Sequence, residues 1–206
     1  TERFPRQVKA DKLSAAAQAT VLYRLLRRPD EGTLLNQWAD RLGYSAMTMS
    51  KVRKELVGAG LCDREPGAKA RGLRFVAAGR ELWEKARPFL RSPVRRGVWA
   101  RFEKLPGGFL LAGIAALSRQ ALLAADARPS YACRDATWGQ WLREGQVHMA
   151  EHEDEAQARV ELWRYDPALL GTGGAVDPLS LHLSLADSAD ERVRLAATAL
   201  LEQMAW

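Results

Sequence analysis

Apolar residues recur at helical spacing through most of the first half of the chain and at mixed spacing through the second. Over 13–27 the stripe Val21, Leu22, Leu25 and Leu26 predicts a first helix, with Ser14 placed to cap it. Over 33–42 the apolar positions 35, 38, 39 and 42 share one helical face. Gly43-Tyr44 breaks that pattern: Gly43 can take the left-handed backbone that closes a helix, and Ser45 can cap the next one. A second helix over 45–59 buries Met49, Val52 and Leu56. At about 100° per residue, Met47, Ser50, Lys51 and Lys54 then lie on its opposite face.

Two strand-like runs, 61–64 and 73–76, bracket Glu65-Pro66-Gly67-Ala68-Lys69-Ala70-Arg71-Gly72 and predict a basic β-hairpin. A helix over 78–90 follows, with Leu82, Ala86 and Phe89 or Leu90 inward and Pro88 placed to bend its end. Helix, helix-turn-helix, two-stranded wing and helix is the order of a winged helix-turn-helix domain. The polar, cationic face of 45–59 suits a helix lying in a major groove. DNA contacts are expected from Met47, Thr48, Ser50, Lys51 and Lys54 on that helix, and from Lys69, Arg71 and Arg74 on the hairpin.

Residues 91–101 hold four arginines with Pro93 and Gly97, and read either as a solvated linker or as a strand following DNA backbone through Arg95 and Arg96. Leu105-Pro106-Gly107-Gly108 completes a boundary, which gives an N-terminal domain over 1–104 and a second over 105–206. The second half alternates types. A small-residue helix is expected over 109–125, a strand over 130–133, and a helix with Trp138 and Trp141 over 136–144. Strands over 146–149 and 159–165, a glycine loop at 171–174, a short helix from Asp177-Pro178 and a terminal helix over 190–204 complete it. The class expected is α+β, a winged helix-turn-helix followed by a small α+β domain.

Charge sharpens this division. The first 104 residues carry 23 Lys and Arg against 11 Asp and Glu, and the remainder 8 against 14, so +12 faces −6. A basic half suits phosphate; an acidic half is repelled by it and needs another task, such as binding a protein partner, a second copy or an effector. Glu151, Glu153, Asp154 and Glu155 concentrate that charge in one expected loop and are the candidate partner-binding residues. No apolar run approaches the length of about 18 residues that spans a membrane. Cys62 and Cys133 form no disulfide framework or zinc spacing and read as buried thiols of a reducing cytoplasm. The chain opens at Thr1 without a methionine or signal-peptide pattern, which leaves an upstream segment open.

Catalytic chemistry is not expected. His148 and His152 are four apart beside acidic residues, but Gln146 to Met149 alternates like a strand, which would separate them as ligands. The loop at 171–174 lacks the lysine and the strand-to-helix setting of a phosphate loop. Ser118 and Ser130 lack a nucleophile elbow, and Asp166, Asp177 and Asp187 sit at expected helix ends where carboxylates cap amides. No metal and no cofactor is expected.

The stretches Gly43 to Lys51 and Ala77 to Leu82 are similar to winged-helix regulators of the MarR type, over about a third of the chain. The second half departs from those proteins, which end in dimerisation helices. Leu111 to Ser118, Pro129-Ser130-Tyr131-Ala132 and Asp177 to Leu181 resemble the AbiEi type of antitoxin, from abortive-infection toxin–antitoxin pairs. That resemblance implies a phage-defence repressor that binds operator DNA in its own operon and counters a nucleotidyltransferase toxin. Three alternatives stay open: a MarR-like regulator without a toxin, a nucleic-acid-processing enzyme that uses the winged helix as a tether, and a wing that serves as a protein-binding module. A homodimer is compatible with each.

Overall fold

The computed structural model describes residues 11–30, 33–63, 72–119 and 128–206. The chain divides into two compact units, Thr1–Leu90 and Arg91–Trp206. Its class is α+β.

The first unit holds α1 (Ala15–Arg27), α2 (Leu35–Leu42), α3 (Ala46–Gly58) and α4 (Gly79–Ala86). The signals that start and stop these helices act as the side-chain chemistry requires. Ser14 Oγ accepts the Ala17 amide at 3.2 Å, and Gly43 closes α2 at φ 64. Ser45 Oγ accepts the Thr48 amide at 3.1 Å. Each such cap is worth about 1 kcal/mol. α3 packs on α1 and α2, and α1 on α4, so Met49, Val52 and Leu56 are enclosed. Trp38 is fully buried from α2, with the Tyr23 ring edge-on at 5.8 Å and Phe75 at 6.2 Å.

The segments that flank the expected hairpin meet through single antiparallel bridges. One joins Cys62 to Phe75, flanked by Asp63 N–H donating to Arg74 O at 2.9 Å and Val76 N–H to Leu61 O at 3.1 Å. Another joins Leu34 to Gly72. The tip between them, with Lys69 and Arg71, lies outside the described residues. Gly72 is required where it stands, because a Cβ there would sit 2.8 Å from the Thr33 carbonyl oxygen. Gly72→Ala is expected to destabilise the unit by about 1–3 kcal/mol, read as a lower urea midpoint at unchanged m.

α4 ends earlier than its periodicity suggests. The α-helical part stops at Ala86 and Arg87–Phe89 forms a 3-10 turn. Pro88 has no amide hydrogen, so the α-helical bond pattern cannot continue through it. Trp83, which the inward stripe did not include, is buried beside Leu82 and Ala86.

The second unit is built on a five-stranded sheet in the order β2-β3-β5-β1-β4. The strands are β1 (Val94–Arg101), β2 (Leu110–Leu111), β3 (Ser130–Arg134), β4 (His148–Met149) and β5 (Ala158–Trp163). β3 and β5 run parallel, and the other pairs are antiparallel. Of the two readings of 91–101, the strand is the one found. It lies inside the sheet between β5 and β4 and belongs with the second unit. Val98 and Ala100 fill the core while Arg95 and Arg96 stay exposed. With 91–104 assigned to the second unit, 1–90 carries 18 Lys and Arg against 10 Asp and Glu, and 91–206 carries 13 against 15. The contrast in charge is then +8 against −2.

The expected helix over 109–125 begins differently. Leu110 and Leu111 pair with Ala132 and Tyr131 as a strand, and only then does α5 (Gly113–Leu117) start, with Gly113 at φ 55. An apolar run gives no periodicity by which a strand and a helix start could be told apart. α6 (Asp135–Arg143), α7 (Pro178–Leu185) and α8 (Glu191–Glu202) follow the sequence reading closely, with Asp177 and Asp190 as caps. Trp138 and Trp141 of α6 join Phe109, Cys133, Val160 and Leu162 in the core. α5 packs on β3, and on α7 and α8.

Candidate nucleic-acid interface

α3 carries the residues with the strongest claim. Met49, Val52 and Leu56 point into the unit, so helical geometry turns Met47, Ser50, Lys51 and Lys54 outward, and all four are exposed. Met47 is 71% exposed. Lys51 and Lys54 have no ion pair among the described residues, so their charge is open to a ligand. Thr48 differs from its neighbours. It is half-buried, and its hydroxyl lies 2.9 Å from Ser45 Oγ, which commits it to the start of the helix.

A residue not singled out from the sequence fixes the pose of α3. Glu55 accepts from both the Ser14 amide and the Ser14 hydroxyl, the latter at 2.7 Å. Its carboxylate thus caps the first turn of α1 and holds α3 against it. The favourable interaction of an anion with a helix N-terminus adds to the bond. Forty-one residues separate the two partners, and no local spacing signals their meeting.

The other candidates divide. Arg74 is exposed, next to the bridge that joins Cys62 and Phe75. Lys69 and Arg71 lie outside the described residues. Arg95 and Arg96 sit in the second unit, and both reach one carboxylate. Arg95 Nη1 donates to Asp135 Oδ2 at 2.8 Å and Arg96 Nη2 to Asp135 Oδ1 at 3.3 Å. Adjacent strand residues normally face opposite ways, but the register against β5 shifts between Val94 and Arg96. That irregularity turns both side chains to the same partner. Their side chains remain 62% and 51% exposed, so the pair is screened and worth at most about 1 kcal/mol.

The acidic stretch is exposed throughout at Glu151, Glu153, Asp154 and Glu155, but it is not an open loop. Glu153–Glu155 forms a 3-10 turn that Arg128 holds in place. Arg128 donates to the Ala156 carbonyl at 2.8 Å and the Asp154 carbonyl at 3.3 Å, and lies 3.5 Å from Glu153 Oε1. His148, by contrast, stands on β4, and His182 is buried with Nδ1 2.9 Å from the Ala197 carbonyl. Among the described residues no group of three or more His, Cys, Asp or Glu is placed to hold a metal ion. Burial pushes the Cys62 and Cys133 thiols up to about 12, too high for a reactive thiolate near neutral pH. No described helix is long and apolar enough to cross a membrane.

The second unit also buries two carboxylates. Glu161 Oε2 accepts the Trp163 indole N–H at 3.0 Å, and Asp177 Oδ1 accepts the Ser180 amide at 2.8 Å. Desolvation raises the pKa of both. They lie inside the unit rather than at a surface, and their hydrogen bonds are those of capping and packing. No family model, curated protein or solved structure matches the chain.

Proposed function

We propose that the chain is a winged helix-turn-helix DNA-binding regulator that represses transcription by occupying a duplex operator. The observation that carries this reading is the outward face of α3, where Met47, Ser50, Lys51 and Lys54 stand opposite a buried apolar stripe. Short polar side chains near the helix start can approach base edges, and the lysines beyond them neutralise phosphate. In this reading the bridges Leu34–Gly72 and Cys62–Phe75 are the root of a wing that includes Arg74; Lys69 and Arg71, expected from the sequence to act with it, lie outside the described residues. In the fuller form of the proposal the chain is an autorepressing antitoxin, and its second unit engages a nucleotidyltransferase-type toxin through the acidic turn at 151–155. That part rests on the resemblance of 111–118, 129–132 and 177–181 to AbiEi antitoxins and on the exposed charge of the turn.

Salt dependence tests the core of this reading. If the protein neutralises about six phosphates, affinity for duplex DNA falls roughly a thousandfold between about 50 mM and 200 mM salt. A flat titration would remove groove binding as the function. The toxin part is tested separately, by co-purification of the chain with the product of the adjacent gene. Loss of the complex when Glu151, Glu153, Asp154 and Glu155 become amides supports the acidic turn as the contact, and an unchanged complex removes it.

A further inference from the structure

One edge of the sheet in the second unit gathers more positive charge than anything there neutralises. β3 ends at Arg134, and the parallel strand β5 ends at Trp163, followed directly by Arg164. β1 runs antiparallel to β5 and starts at the same edge, with Val94 opposite Trp163, so Arg95 lies there too. α6 also opens at this edge, and its last residue is Arg143. Arg95, Arg134, Arg143 and Arg164 together line an open cavity of about 550 Å³, with Asp135, Ala136, Gly139 and Trp163.

We propose that this cavity binds a phosphorylated small molecule of nucleotide size, held through its phosphate groups. Four guanidinium groups meet one carboxylate there, and that carboxylate is already taken by Arg95 and Arg96. The side chains of Arg134, Arg143 and Arg164 have no hydrogen bond or ion pair among the described residues. Forks of this kind bind phosphate oxygens two at a time, which an isolated lysine cannot do. The volume falls within the range of about 300–1,000 Å³ usual for small-ligand sites and exceeds what a single phosphate needs. It lies beyond the carboxyl ends of the parallel pair β3 and β5. Trp163 is fully buried, so its ring offers no stacking platform and recognition rests on the phosphates.

The test uses the full chain, titrated calorimetrically with ATP and with inorganic pyrophosphate in the absence of duplex DNA. Saturable one-to-one binding of both probes is expected. Arg134→Ala and Arg164→Ala should each weaken it by at least about tenfold, because each removes charge-assisted hydrogen bonds. Both side chains are exposed, and unchanged melting of the free variants verifies their fold. Arg192→Ala, at the exposed start of α8, should bind as the parent does. The proposal is overturned by the absence of binding at millimolar probe, by equal binding in the arginine variants, or by ATP binding without pyrophosphate binding. Displacement of ATP by duplex DNA also overturns it, since the arginines would then be part of a nucleic-acid track.

Discussion

Reversing Lys51 and Lys54 together to glutamate is expected to lower duplex affinity by about two orders of magnitude or more. Each lysine is exposed on the outward face of α3, and each lost charge-assisted contact to phosphate is worth about 1.5–3 kcal/mol, with repulsion from phosphate added. The slope of log affinity against log salt should also become shallower by about two, one for each phosphate contact removed. Neither side chain supports the fold, so the melting temperature should hold. Lys85→Glu on α4 provides the control, because among the described residues Lys85 is paired only with Glu81, at the surface. A gel-shift or anisotropy titration in which Lys85→Glu weakens binding as much as the α3 pair would reduce the effect to net charge. Ser50→Ala separates recognition from grip: sequence preference should change while affinity for unrelated duplexes stays close to that of the parent.

The second large effect lies in the core of the other unit. Trp163→Ala should cost about 3–5 kcal/mol, since the ring is fully buried and packs edge-on against Tyr165 at 5.8 Å. Trp163→Phe keeps much of the apolar volume but removes the N–H that Glu161 accepts. That leaves a buried carboxylate short of a donor, at about 1–3 kcal/mol. Glu161→Gln preserves an acceptor for the indole and removes the charge. Burial raises the Glu161 pKa, so the folded chain holds the proton more tightly than the unfolded chain does. The corresponding stability is fully present below the unfolded pKa and is lost as pH rises through the raised folded value. Asp177 shifts in the same direction for the same reason. The parent protein should therefore lose stability on going from acid towards neutral pH, and Glu161→Gln should lose less of it. Urea unfolding at several pH values reads this directly, and an identical pH slope in the two proteins would show that Glu161 does not titrate in that window.

Much of the first unit was legible because its signals are local. Ser14, Gly43 and Ser45 act within three or four residues of the helix ends that they fix, and the stripe of Met49, Val52 and Leu56 needs only the helical period to be read. The exposed face of α3 follows from the same arithmetic. What could not be read depends on partners distant in sequence. Glu55 looks like an ordinary surface carboxylate until α1 is placed against α3. Arg95, Arg96 and Asp135 meet across about forty residues and only by means of an irregular register. Glu161 sits in a strand where alternation suggests an outward side chain, yet α5 and the sheet enclose it, and a Cβ on Gly113 would come within 3.2 Å of its Oε1. Arg134, Arg143 and Arg164 have no common spacing, and only the closing of the sheet brings them to one cavity.

The strand order has a consequence for how this chain becomes structured as it is made. β1 is the first strand to leave the ribosome, yet its long pairing is with β5, which follows some sixty residues later. The parallel partner of β5 is β3, so the middle of the sheet cannot close before residue 163 has been synthesised. Non-local pairing of this kind is slow, because the loop between the strands must be ordered before any contact rewards it. The first unit also has long-range pairs, α1 on α4 and Leu34 with Gly72 among them, but all of its partners have been made by Leu90. Synthesis from the N-terminus therefore favours a folded helical unit while β1 is still waiting for its partner. During that interval Val98 and Trp99 are exposed on an unpaired strand. The arginines on either side of them, at 95, 96 and 101, are charges of the kind that keep such a strand from pairing with another chain.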